Sequence, residues 1–257
     1  MFLMVLAGLA MLGTSVLVFL GASEDVIRHN GAATRDAARL DWFTDHRTSS
    51  LVGVAKFLNT AGSVGVVAAL AVVVGLLLWR RGLPLIFAAT PLLAVIAAEG
   101  VAAALKVLVD RARPAASLRL VAEADPSFPS GHATAATAFG ISVAAVLIVY
   151  VLRSRWSRLV TLAAGVLVPI AVAASRLELG VHWPTDVAAG LALGASVALI
   201  VTGGAAWLAA GEFDTKSPSH SRTAALRSRM VDIARRRRES PLLSTAPLRD
   251  LANANVA

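Results

Sequence analysis

The sequence predicts an all-α integral membrane protein, a bundle of six spanning helices. Three observations carry this. Hydrophobic residues make up 57% of the 257 and charged residues only 16%, whereas soluble domains run near a quarter charged. The apolar residues fall into blocks close to the roughly 20 residues that cross a bilayer as a helix. The basic residues crowd the short connections and the C-terminal stretch, as expected where loops are held on an anionic face. The net charge of +8 is therefore a membrane signature here, and no nucleic-acid motif accompanies it. With no cysteine, neither a disulfide framework nor a thiolate metal site is available.

The six blocks are Met1 to Leu20, Gly62 to Trp79, Leu83 to Val109, His132 to Leu152, Leu159 to Leu179 and Val187 to Ala210. A helix satisfies every backbone hydrogen bond internally, so each can span. The first lacks the positive n-region of a signal peptide and has too long an apolar run, so it reads as a retained helix. Between the first two, residues 22–61 are polar and mixed. There Trp42, Leu51, Val54, Phe57 and Leu58 recur near helical spacing, which suggests a segment lying along the interface.

Placing the N-terminus inside puts Arg80, Arg81, Arg153, Arg155, Arg158 and nine tail residues on the inner side, fourteen of the 24 Lys and Arg. Trp79, Trp156 and Trp207 then form an inner aromatic belt, with Trp42 and Trp183 near the outer one. Residues 1–210 form the membrane domain and 211–257 a basic cytoplasmic tail. The run Arg235 to Arg238, with Ser and Pro nearby, reads as disordered and solvated. A sharper alternative sets Leu226, Met230 and Ile233 on one face of a lipid-touching basic helix.

Three clusters fall on the expected outer side. Lys106 and Arg113 are seven residues apart, close to two helical turns, and Pro114 follows as a helix stop. Alone, they would be snorkelling anchors. Pro129-Ser130-Gly131-His132 precedes the fourth block: Ser130 is a natural N-cap, Gly131 allows close backbone approach, and the helix start attracts anions. Ser175-Arg176 and His182-Trp-Pro-Thr-Asp186 bracket the last turn. Arg176 is costly in a membrane helix unless paired or functional. The four-residue step from His182 to Asp186 can bring the carboxylate to one imidazole nitrogen and leave the other free to attack. Each cluster by itself also fits an ordinary capped helix end. Together, two histidines, a carboxylate and three cations match what a transferring phosphoryl group requires.

These residues resemble the type-2 phosphatidic acid phosphatase superfamily, whose signature is Lys-x6-Arg-Pro, Pro-Ser-Gly-His and Ser-Arg-x5-His-x3-Asp; every spacing is kept here. The resemblance implies a membrane lipid phosphatase with its active site at the outer face. His182 would be the nucleophile that forms a phosphohistidine, oriented by Asp186. His132 would act as acid and then base, while Lys106, Arg113, Arg176, Ser130 and Gly131 hold phosphate. No metal or other cofactor is implied. Glu178 lies close by without a firm role. The substrate would be a lipid phosphate or diphosphate: polyprenyl diphosphate, the leading expectation, phosphatidic acid or phosphatidylglycerol phosphate. The same residues also suit a phosphotransferase or a non-catalytic lipid-phosphate binder, and vanadium haloperoxidases share the motif set but are soluble. The membrane expected is a bacterial inner membrane. Nothing in the sequence sets the oligomeric state.

Overall fold

The computed structural model describes the backbone of residues 2–215 and the side chains of residues 6–210. The tail expected over residues 211–257 lies almost wholly outside this range. The chain divides into two compact units, Met1–Trp207 and Leu208–Ala257; the bundle and the site belong to the first. The helices, in order, are α1 (Phe2–Arg28), α2 (Asp36–Asp45), α3 (Ser49–Ala61), α4 (Val64–Arg80), α5 (Leu85–Ala88), α6 (Thr90–Val109), α7 (Gly131–Val146), α8 (Arg155–Glu178) and α9 (Pro184–Thr215). No strand occurs among the described residues.

Five helical segments are long and apolar enough to cross a membrane, and six if the bent pair α3–α4 is one span. The second block therefore differs from expectation. Its helix, α4, has only 17 residues, and α3 meets it at 57°. The polar stretch before it contains α2 and α3 rather than one interfacial helix, and α3 packs on α8. The third block is broken near its start. Pro84 caps the single turn of α5 and Pro91 sits in the first turn of α6, because proline lacks the donor needed in a helix interior. In the fourth block, α7 runs on into a π-helical turn, Leu147–Val151.

The centre of the bundle is α7, packed against α4, α6 and α8. Its residues Ala133 to Ala138 are all buried, since a helix with no polar face is covered on all sides. Water gives little drive to helix association in lipid, so close packing of small residues takes over. A β-carbon at Gly140 would lie 2.8 Å from the Gly165 carbonyl of α8. One at Gly190 of α9 would lie 2.6 Å from the Ser130 carbonyl, and one at Gly194 2.4 Å from that of Thr134. Gly190 and Gly194 thus form a Gly-x-x-x-Gly face that seats α9 on the first turns of α7. Hydroxyls in these helices are satisfied locally: Thr134, Thr137 and Ser196 donate to carbonyls four residues back at 2.7–2.9 Å.

Candidate active site

The C-terminal ends of α6 and α8 and the N-terminal ends of α7 and α9 meet at one end of the bundle. All eight residues expected at the site lie there, in the connections or in the adjoining turns.

His182 occupies the tight connection between α8 and α9. Gly180 turns the chain at φ +67, with the Leu118 carbonyl 2.3 Å from where a β-carbon would stand, so only glycine fits. Pro184 begins α9. Two residues on, Asp186 reaches back and accepts from the Trp183 backbone N–H at 2.8 Å through Oδ2, a helix-capping contact. The same Oδ2 stands 3.4 Å from His182 Nδ1. That is long for a hydrogen bond, as catalytic contacts often are before substrate binds. The other ring nitrogen, Nε2, lies 3.1 Å from Arg113 Nη1. A guanidinium only donates, so Nε2 accepts, and the ring hydrogen belongs on Nδ1, facing Asp186. Burial first, and then the charges of Arg113, Arg176 and Lys106, hold the imidazole well below its ordinary pKa. The geometry is thus a neutral histidine with its lone pair directed at Arg113.

The cations are gathered differently from expectation. α6 ends at Val109, five residues before Pro114, where Asp110 takes the left-handed conformation at φ 43. Lys106 and Arg113 consequently do not share a helix face. Asp125 brings them together instead, accepting from Lys106 Nζ at 2.8 Å and from Arg113 Nη2 at 2.8 Å. Arg113 also donates to the Val181 carbonyl at 2.8 Å. Arg176 is fully buried and pairs through Nη2 with Glu123, while its Nε and Nη1 have no partner among the described residues. Burial acts to raise the Asp125 carboxyl, but Lys106 and then Arg113 outweigh it and bring it down to about 2. Glu123 is likewise lowered, its burial outweighed by Arg176 and Arg113.

Ser130 holds the N-cap position of α7, yet its hydroxyl makes no cap bond; the buried Oγ is unpartnered. Ser130 Oγ, with Arg176 Nε and Nη1, gives three free donor atoms at this end of the bundle, as an incoming oxyanion requires. His132 lies in the first turn of α7, with Nε2 3.1 Å from the Asn59 carbonyl of α3. Glu178 makes no side-chain ion pair among the described residues, and its Oε1 is buried without a partner.

Several residues around the site were not foreseen. Arg111 donates from Nη1 to Asp186 Oδ1 at 2.5 Å and from Nη2 to Asp36 Oδ2 at 2.7 Å. Asp36 also accepts from the Thr185 backbone N–H at 3.1 Å and from its hydroxyl. Behind His182 there is therefore a buried chain, Asp186–Arg111–Asp36. Arg111 stands two residues before Arg113 and lay within view of the first motif. Asp36, in a polar stretch 150 residues before Asp186, carried no sequence signal.

Beneath the site runs an apolar groove of about 530 Å³ between α3, α4, α7 and α8, lined by Leu58, Gly62, Ala136, Gly140, Val143 and Val172 among others. His132 is one turn above Ala136 on the α7 wall, and Arg176 one turn beyond Val172 on the α8 wall.

The family pattern described as the PAP2 superfamily matches residues 87–208, which include all three motifs. That segment, a little under half of the chain, is similar to the PAP2 superfamily. It is 40% identical over 107 residues to the decaprenylphosphoryl-5-phosphoribose phosphatase of two Mycobacterium tuberculosis strains, covering 40% of this chain and 53% of the relative. It is 37% identical over 100 residues to phosphatidylglycerophosphatase B of Bacillus subtilis, covering 38% of this chain and 48% of the relative. The chain thus spans about half the length of the curated relatives it matches. In three dimensions it resembles the crystal structure of a transmembrane PAP2-type phosphatidylglycerolphosphate phosphatase from Bacillus subtilis. The TM-score is 0.69 at 25% identity, covering 75% of this chain and 94% of the other. The described residues are accordingly all-α, and the chain is a multi-pass membrane protein similar to PAP2 proteins.

Proposed function

We propose that this protein is a metal-independent lipid phosphatase that works through a phosphohistidine. The observation that carries the reading is the state of His182: neutral, backed by Asp186, with its lone pair turned toward Arg113 and the charges of Arg176 and Lys106 acting on the ring. A binder needs the cations but not a poised nucleophile. Phosphate enters by displacing Glu123 and Asp125 from Arg176, Arg113 and Lys106, and Ser130 adds its free hydroxyl. His182 Nε2 attacks phosphorus in line with the leaving oxygen, and the positive charge that develops on the ring is stabilised by Asp186. His132 turns from the Asn59 carbonyl to protonate the leaving lipid oxygen. It then takes a proton from the water that hydrolyses the phosphorus–nitrogen bond, which releases phosphate and restores His182.

The substrate's hydrocarbon chain lies in the groove, whose walls carry His132 and Arg176 at their upper ends. The relatives, named for decaprenylphosphoryl-5-phosphoribose and for phosphatidylglycerophosphate, favour a lipid phosphomonoester over the polyprenyl diphosphate that led the expectations. We place the site at the outer face, with both termini inside, because the Arg80-Arg81 turn and the Arg153-Arg155-Arg158 loop cluster away from it. A tag after Ala257 is then reachable only from the cytoplasmic side, and labelling it on intact cells would overturn this topology.

The test is phosphate release by detergent-purified protein in EDTA from polyprenyl diphosphate, phosphatidic acid and phosphatidylglycerol phosphate, beside His182→Ala. Release by the wild type alone is expected, with inhibition by vanadate. Loss of activity in EDTA that magnesium restores would refute the metal-free mechanism. A folded wild type that releases nothing from any lipid would refute the catalytic reading.

A further inference from the structure

Glu99 lies in the middle of α6, among Ala97, Ala98, Gly100 and Val101. An ionisable group in a membrane helix is costly and rare unless it has a partner or a task. No cation stands within ion-pair distance of it among the described residues. Lys106, two turns further along α6, is engaged by Asp125 and by the Pro126 carbonyl at 2.6 Å. Glu99 Oε1 is buried without a hydrogen-bond partner. Its Oε2 would stand only 3.3 Å from a β-carbon at Gly131, so the carboxylate abuts the first turn of α7. Asn59 borders the same turn from α3. Its backbone carbonyl faces His132 Nε2 at 3.1 Å, and its side-chain Oδ1 is also buried and unpartnered.

Two residues with an orphan acceptor therefore border the start of α7: Glu99, whose carboxylate abuts Gly131, and Asn59, whose backbone carbonyl faces His132. Phosphate cannot satisfy them, because its oxygens accept too and a carboxylate repels them. The free donors that suit phosphate, on Arg176 and Ser130, are separate groups. In-line attack by His182 places the leaving oxygen on the far side of phosphorus, toward the acid His132. What reaches Glu99 and Asn59 is then the leaving group, and it must bring a donor.

We propose that Glu99 and Asn59 form a hydroxyl-recognition subsite, selecting lipids that carry a free hydroxyl next to the phosphate ester. This rests on the phosphatase reading above and narrows its substrate class. A site built to bond a substrate hydroxyl rejects the analogue without it, because its own polar groups are then left unpaired.

The test compares two lipids of identical acyl chains with the full-length protein in detergent. Phosphatidylglycerol phosphate has a hydroxyl on the carbon beside the phosphorylated one; phosphatidic acid has none. The wild type is expected to prefer the former by about tenfold or more in kcat/KM. Glu99→Ala and Asn59→Ala should each bring that ratio toward one, with Glu99→Gln between. A ratio near one in the wild type, or one unchanged in the variants, overturns the subsite even if all of them turn over. The same pair of lipids is titrated against wild type and Glu99→Ala by thermal shift. If the wild type releases no phosphate, the phosphatase reading fails on its own. The subsite is then decided by whether the hydroxylated lipid binds more tightly and whether Glu99→Ala removes the difference.

Discussion

At the scale of single residues, the environment of His182 sets the pH behaviour. The imidazole is depressed by burial and by neighbouring cations, so it stays unprotonated below the ordinary histidine range, as the proposed nucleophile must. The acid limb of kcat/KM is expected below pH 6.5, the unperturbed value. Removing a cation favours the imidazolium, so Arg113→Gln should move that limb to higher pH, whatever it does to the maximal rate. A limb that stays in place would mean that Arg113 does not act on the ring. Glu123 offers a second check. It occupies Arg176, the proposed phosphate site, and would there compete with the substrate. Glu123→Gln is expected to tighten vanadate inhibition by roughly fivefold, about 1 kcal/mol. Weaker inhibition would show that the carboxylate orients the guanidinium instead. Arg111 neutralises two buried carboxylates, Asp36 and Asp186. Arg111→Gln leaves both uncompensated and should cost about 3 kcal/mol of stability, seen as a lowered Tm. Adding Asp36→Asn should recover part of that loss. These partners were not legible in advance, because Asp36, Asn59 and Glu99 reach the site through tertiary contacts that leave no spacing pattern. His182 and Asp186, four residues apart on one helix start, did leave one.

At the scale of elements, the site depends on how α9 is seated. Gly190 lets α9 approach the Ser130 carbonyl, and the Ser130 backbone N–H donates to the Asp186 carbonyl at 3.1 Å. The same crossing therefore aligns the start of α7 with the helix turn that carries Asp186. Gly190→Leu must push these helices apart, at a cost of about 1–3 kcal/mol, with loss of phosphate release. A variant with unchanged Tm and turnover would show that the crossing does not position the site. Element ends were read from the sequence with mixed success, for physical reasons. The blocks behind α7, α8 and α9 were apparent from apolar length, since lipid demands it. The apolar block ended where α6 does, at Val109, but its stop was assigned to Pro114, whereas the left-handed turn at Asp110 already terminates the helix.

At the scale of the whole molecule, the arrangement is a bundle whose small-residue core brings four helix ends together at one pole. The bundle itself was readable from composition and block length. The bend between α3 and α4 was not, since the short apolar run of α4 looks like an ordinary span until α3 is seen to join it at 57°. That bend matters to function, as α3 supplies both Asn59 and part of the groove wall. The polar site lies one helical turn beyond the apolar groove, His132 past Ala136 on α7 and Arg176 past Val172 on α8. The bundle of residues 1–207 thus suits the proposed substrate, with a phosphate at one end and a hydrocarbon chain at the other.

The central claim is that His182 carries the phosphoryl group, and the most direct measurement is rapid quenching of the purified protein with lipid labelled in its terminal phosphate. A transient covalent label is expected on the wild type, located by peptide mapping on His182 and absent from His182→Ala. Phosphate release without a labelled intermediate, or a label on another residue, would contradict it.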